Sequence, residues 1–143
     1  MKGLFMVAAL AGVAGSAPAQ ECAGGAMRAA LLERARRDQE ARKALTATPG
    51  ARELSTRVLQ IDSANTAFMR ALLTSCGWPR LSVVGDEAAT AAWLIIQHAD
   101  ADPQFQVQAA QQMRYAVLGK EANGAHLALL VDRNRRLTHQ PQV

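Results

Sequence analysis

The chain has 143 residues, sixteen Lys and Arg against twelve Asp and Glu, half of its residues apolar and only 4% aromatic. That length encloses one modest core, and alanine in place of aromatic residues favours closely packed helices over a sheet. The small positive excess lies mainly between Arg28 and Arg57 and at Arg133, Arg135 and Arg136, without the dense, aromatic-laced patch of a nucleic-acid binder, so nucleic acid is excluded as an expected partner.

The chain opens on Lys2, an apolar run from Leu4 to Gly15, and Ser16-Ala17-Pro18-Ala19-Gln20. A positive start, a short apolar stretch and small residues before the cut form a secretory signal. Cleavage is expected between Ala19 and Gln20, leaving residues 20–143 as one exported domain, periplasmic or extracellular. The run is too short for the roughly 20 residues of a spanning helix, and no stable membrane insertion is expected after cleavage. Gln20-Glu21 before Cys22 argues against lipidation. Cys22 and Cys76 form a disulfide candidate in an oxidising compartment; two free thiols are the alternative.

Apolar residues at helical spacing predict a first helix from about Ala26 to the Arg42–Leu45 region, marked by Met27, Ala30, Leu31 and Ala35. Thr46-Ala47-Thr48-Pro49-Gly50 breaks it. Leu54, Val58, Ile61, Phe68 and Leu72 mark a second helix from about Ala51 to Ser75. It ends at Cys76-Gly77-Trp78-Pro79, where Gly77 suits a left-handed cap and Pro79 cannot continue the helix. Arg80 to Gly85 reads as a loop with a short extended piece at Leu81–Val84. A third helix spans Asp86 to about Ala99. Asp102-Pro103 is an N-cap followed by proline, opening a fourth helix that ends at Gly119. Asn123-Gly124 is a turn, and a last helix runs from about Ala125 to Arg136. The expected fold is an all-α single-domain bundle of about five helices.

Polar clusters interrupt this apolar background: Asp38-Gln39-Glu40-Ala41-Arg42, Ile61-Asp62-Ser63-Ala64-Asn65, Gln97-His98-Ala99-Asp100 and Asp132-Arg133. With Gly77-Trp78-Pro79, Gly85 and Phe105-Gln106, they make the chain resemble a bacterial family of uncharacterised proteins, domain of unknown function 6624. The "GWP", "VG", "AAW", "QHAD" and "FQ" elements stand in order from Gly77 to Gln106, and "DQ..R" and "DR" extend the likeness over nearly the whole mature chain. The resemblance implies a helical, often exported domain and no established activity. Members continue past a Pro-Gln pair into a Tyr-Gly-Thr-Gln element where this chain reads Pro141-Gln142-Val143, so a site needing that element would be incomplete.

His98, at the end of the third predicted helix, is the residue on which acid/base chemistry would turn. It is expected within reach of a carboxylate: Asp100 or Asp102 locally, Asp62 or Asp132 at a distance. Asp38 and Arg42, four apart, pair on the helix surface, unless Arg42 turns inward to balance Asp62 or Asp132. Metal binding has little support, because His98-x-Asp100, His126 and Asp132 match no known ligand spacing; neither a metal nor another cofactor is expected. No nucleophile elbow is present, and Cys76 reads as a structural thiol or half of a disulfide. Two functions remain. One is a binding or interaction module, for an unknown ligand or protein, using Gln97, His98, Asp100, Arg42, Asp132 and Arg133. The other is a small acid/base hydrolase with His98, Asp100 and Asp62 as catalytic candidates. An enzyme needs the cluster open on a cleft, whereas a structural cluster would be closed and fully hydrogen-bonded.

Overall fold

A computed structural model of the protein describes residues 22–142. The signal segment expected at 1–19, its cleavage site and Val143 lie outside the described residues. Six helices form the described chain: α1 (Gly24–Ala47), α2 (Arg52–Cys76), α3 (Leu81–Val84), α4 (Asp86–Gln97), α5 (Pro103–Leu118) and α6 (Gly124–Leu137). No strand occurs among the described residues, and no helix there is long and apolar enough to cross a membrane.

The central element is α4, which touches all five other helices. Its residues explain that position. Ala88, Ala89, Ala91, Ala92, Ile95 and Ile96 are all buried, and a helix apolar on most sides is stable only inside a core. Around it pack Leu31 of α1, Met69 of α2, Met113 of α5 and Leu130 of α6, each no more than 1% exposed. α1 and α2 form an antiparallel pair on one side, and α5 and α6 form a hairpin on the other. Asp102 caps α5, its Oδ1 accepting from the Phe105 N–H at 3.0 Å, with Pro103 in the first position. Asn123 caps α6 in the same way through the Ala125 N–H at 2.8 Å.

Two local expectations need correction. The piece at Leu81–Val84 is a single helical turn rather than an extended segment. Its exposed N–H groups are met by Glu121 from the α5–α6 connection: the Glu121 carbonyl accepts from Leu81 N–H, and the carboxylate accepts from the Ser82 N–H and hydroxyl. This long-range cap supplies partners that four residues cannot supply themselves. Gly77 ends α2 not in the left-handed helical region but at φ 74°, ψ −165°, a conformation that glycine alone enters readily. Immediately before it, Cys76 is bonded to Cys22 with a Cα–Cα separation of 5.4 Å, tying the approach to α1 to the end of α2.

Candidate functional site

The apolar stripe of α1 runs through Met27, Leu31 and Ala35 and continues into Asp38, which is buried with them. A carboxylate in that position needs partners, and α1 itself and the end of α4 supply them. His98, the residue that terminates α4, places its Nδ1 3.0 Å and 3.2 Å from the two oxygens of Asp38. Arg42, one turn further along α1, donates from Nε to Asp38 Oδ1 at 3.1 Å and from Nη2 to Asp62 Oδ1 of α2 at 2.5 Å. Gln39 donates to Asp38 Oδ2 at 2.6 Å.

This geometry selects the histidine tautomer. Both Asp38 oxygens are acceptors, so the ring nitrogen facing them carries the hydrogen. Arg42 Nε also lies 3.1 Å from His98 Nδ1, but its N–H is directed to the carboxylate, since two donors cannot bond each other. In the neutral ring, Nε2 is therefore a lone-pair acceptor.

The two carboxylates respond in opposite directions. Burial alone would raise Asp38, but the hydrogen bond and charge of His98, with Arg42 and Gln39, outweigh it and hold the carboxyl below its ordinary value. Burial raises Asp62 above its ordinary value; the Asp38 charge adds to this, and Arg42 only partly offsets it. Two nearby acids thus sit on opposite sides of the usual carboxylate range.

Arg42, Asp62 and His98 line one end of an open cleft of about 780 Å³ along α2 and the 98–102 connection. Val58, Leu59, Ala67 and Ala71 of α2 give it an apolar wall, Asp100 and Asp102 stand along the other side, and Arg70 of α2 pairs with Asp102. Its volume is in the range of small-molecule sites. Asp38 lies beneath the lining with its side chain 1% exposed, against 15% for His98, 18% for Asp62 and 30% for Arg42. A second hollow, between α5 and α6, is lined by Gln111, Arg114 and Tyr115 and touches none of these groups.

The sequence-based candidates divide. His98, Asp62 and Arg42 meet. Asp100 lines the cleft, but its carboxylate is gripped by Arg133 of α6 in two bonds of 2.7 Å and 2.5 Å, and this hydrogen bonding holds the guanidinium above its ordinary value. Asp102 is engaged by Arg70 and by its capping role. Gln97 points to the opposite side and donates to the Leu129 carbonyl at 3.4 Å. Arg133 and Asp132 are outside the cleft lining, and Asp132 is half-buried on α6. The carboxylate that holds His98 is thus Asp38, not Asp100, Asp102, Asp62 or Asp132. The signal for it was in the sequence: Asp38 falls on the same stripe as Met27, Leu31 and Ala35, where an apolar residue is expected.

Among the described residues, Asp38, Asp62 and His98 bring one possible metal-ligand atom each within 4.8 Å of one another. This is a different set from His98, Asp100, His126 and Asp132. Arg42 lies within hydrogen-bond distance of all three, so its guanidinium supplies the positive charge a cation would bring. His126 is elsewhere, stacked on Trp93 with ring centroids 4.1 Å apart.

Residues 26–143 match the profile of a family of unknown function (DUF6624), and the chain belongs to that family. No curated protein and no solved structure matches the chain.

Proposed function

We propose that this family member is an exported binding module that takes a small ligand into the α2 cleft, with Arg42, Asp62 and His98 as the recognition end. The observation that carries the reading is convergence on open space: three polar side chains from α1, α2 and the end of α4 line one cleft, and they stay open to it although Arg42 bonds Asp62. Apolar wall, few convergent polar groups and shifted carboxylates together are the usual marks of a ligand site. A thermal-shift screen of the purified protein against a small-molecule library tests it, with wild type and His98→Ala side by side. Hits that stabilise both proteins equally, or no hits, would count against the cleft. Export rests on the signal reading of residues 1–19 and has its own test. Protein recovered from the periplasm of a Gram-negative host should begin at Gln20 within a few residues, and retention of Met1 in the membrane fraction would contradict it.

A second reading, a small hydrolase, is favoured by one specific feature. Asp38 orients the His98 ring and leaves Nε2 as a base, while Asp62, held high by burial, is placed to return a proton. Here Asp38 takes the orienting part, and Asp100, committed to Arg133, drops out. Turnover of simple activated esters that vanishes in His98→Ala would support it; no turnover across such a panel would remove it.

A further inference from the structure

The polar atoms that the cluster leaves over have a common character. Asp62 uses Oδ1 for Arg42, and its Oδ2 accepts no hydrogen bond from any described residue. The hydrogen bonds of the His98 ring to described residues all run through Nδ1, which leaves Nε2 with its lone pair. Neither atom is sealed in the interior: among the described residues, the buried side-chain atoms without a partner are those of Asn65, Trp78, Trp93 and Gln97. The cleft end therefore offers two acceptors, and Arg42 has its Nε and Nη2 already engaged.

The charge has the same sign. Three carboxylates line the cleft, Asp62, Asp100 and Asp102, against two guanidinia, Arg42 and Arg70. Beneath the lining, Arg133 is paired with Asp100, and Asp38 lies behind His98, so carboxylates still exceed guanidinia by one while the ring is neutral. A site with spare acceptors and one excess negative charge selects a ligand that brings N–H donors and a positive charge.

We propose that the ligand of this cleft is an amphipathic primary amine, its ammonium held between Asp62 Oδ2 and His98 Nε2 and its apolar body laid along Val58, Leu59, Ala67 and Ala71. This rests on the reading of the cleft as a binding site. The burial that raises Asp62 acts in its favour, because an ammonium beside that carboxylate relieves the cost of its ionisation. Arg42 keeps Asp62 oriented through the other oxygen and need not move.

Matched probes that differ only in the head group test the idea: hexylammonium, 1-hexanol and hexanoate, titrated into isotope-labelled protein and followed by amide chemical shifts. Hexylammonium should shift the signals of Asp62, Thr66 and His98 saturably and bind about tenfold more tightly than hexanol, the usual gain from one charge-assisted hydrogen bond. Hexanoate should be the weakest. Asp62→Asn should abolish the preference for the amine. Should that variant unfold, Ser63→Lys serves instead: Ser63 is exposed, lines the cleft beside Asp62 and is no part of the apolar wall, and a cation there should weaken hexylammonium without weakening hexanol. Equal binding of amine and alcohol, or tighter binding of hexanoate, would overturn the amine and leave the cleft standing. Failure of every probe to move cleft signals would overturn both.

Discussion

Two clusters near the end of α4 are built from the same kinds of group and do opposite things. On the α5–α6 side, Arg133 grips Asp100, and Gln106 fills the space behind it. The Gln106 amide lies 3.3 Å from the Ile96 carbonyl and 3.4 Å from the Gln97 carbonyl and Asp100 Oδ1. Its oxygen accepts from Asn134, which also donates to the Pro103 carbonyl at 2.7 Å. Gln106 is fully buried, and its side chain is spent on closing the C-terminal end of a helix. On the α1–α2 side, Asp38, Arg42, Asp62 and His98 join three elements but face a cleft, with acceptors left over and two acids displaced in opposite directions. Charged clusters are common in helical bundles. What separates these two is leftover hydrogen-bonding capacity next to open space.

Reducing the disulfide should have the largest effect and should strike only one side. The bond spans 54 residues, and the chain-entropy model gives about 4 kcal/mol for a loop of that length. Denaturant titration with and without reductant measures it. Amide exchange should show early loss of protection in α1 near Asp38 while the Gln106 region holds; uniform loss would mean the two clusters unfold as one unit. Next comes Gln106→Ala, expected to cost about 2–3 kcal/mol, because it strands Asn134 and the end of α4 in the interior. His98→Ala should cost only about 1 kcal/mol, since Arg42 still balances Asp38 and the cleft admits water. A cost equal to that of Gln106→Ala would erase the distinction and make the Asp38 cluster as structural as its neighbour.

The smallest effects are in the pH profile. Asp38 has a lowered value in the folded state, so its contribution is complete above the ordinary carboxylate value of about 3.9 and is lost as pH falls through the folded value below it. Asp38→Asn should therefore flatten the acid limb of the stability curve. Asp62 is raised, so the folded state keeps its proton longer, and ionisation removes stability as pH climbs through and above the ordinary range. Asp62→Asn should gain on wild type as pH rises above the ordinary carboxylate value of about 3.9. Parallel profiles for wild type and both variants would show that the two acids are not set apart.

The five longer helices were legible because alanine, leucine and isoleucine recur at helical spacing and because Pro49, Gly77, Asp102-Pro103 and Asn123-Gly124 punctuate them. The turn at Leu81–Val84 was not, since its stabilising cap, Glu121, is 39 residues from Ser82. The same reason hid half of the site. His98 and its carboxylate are 60 positions apart, and a single chain read in order offers Asp100 and Asp102 first, both of which arginines and a helix end claim. Asp38 also had an ordinary explanation in the surface pair with Arg42, a pairing that is real yet buried at the carboxylate.

The alanines of α4 and α5 have a consequence for how this sequence can change. Ala88, Ala92 and Ala109 have no exposed surface at all, so the helices meet there with little more than methyl groups between them. A larger side chain would have to push whole helices apart, and glycine would loosen the helix that carries it. Such contacts leave evolution almost no neighbouring sequences to visit. Variation should therefore collect along the rim of the cleft, where Leu59, Ser63 and Thr66 are free to be exchanged. A protein built this way can alter the lining of its cleft far more easily than the frame behind it.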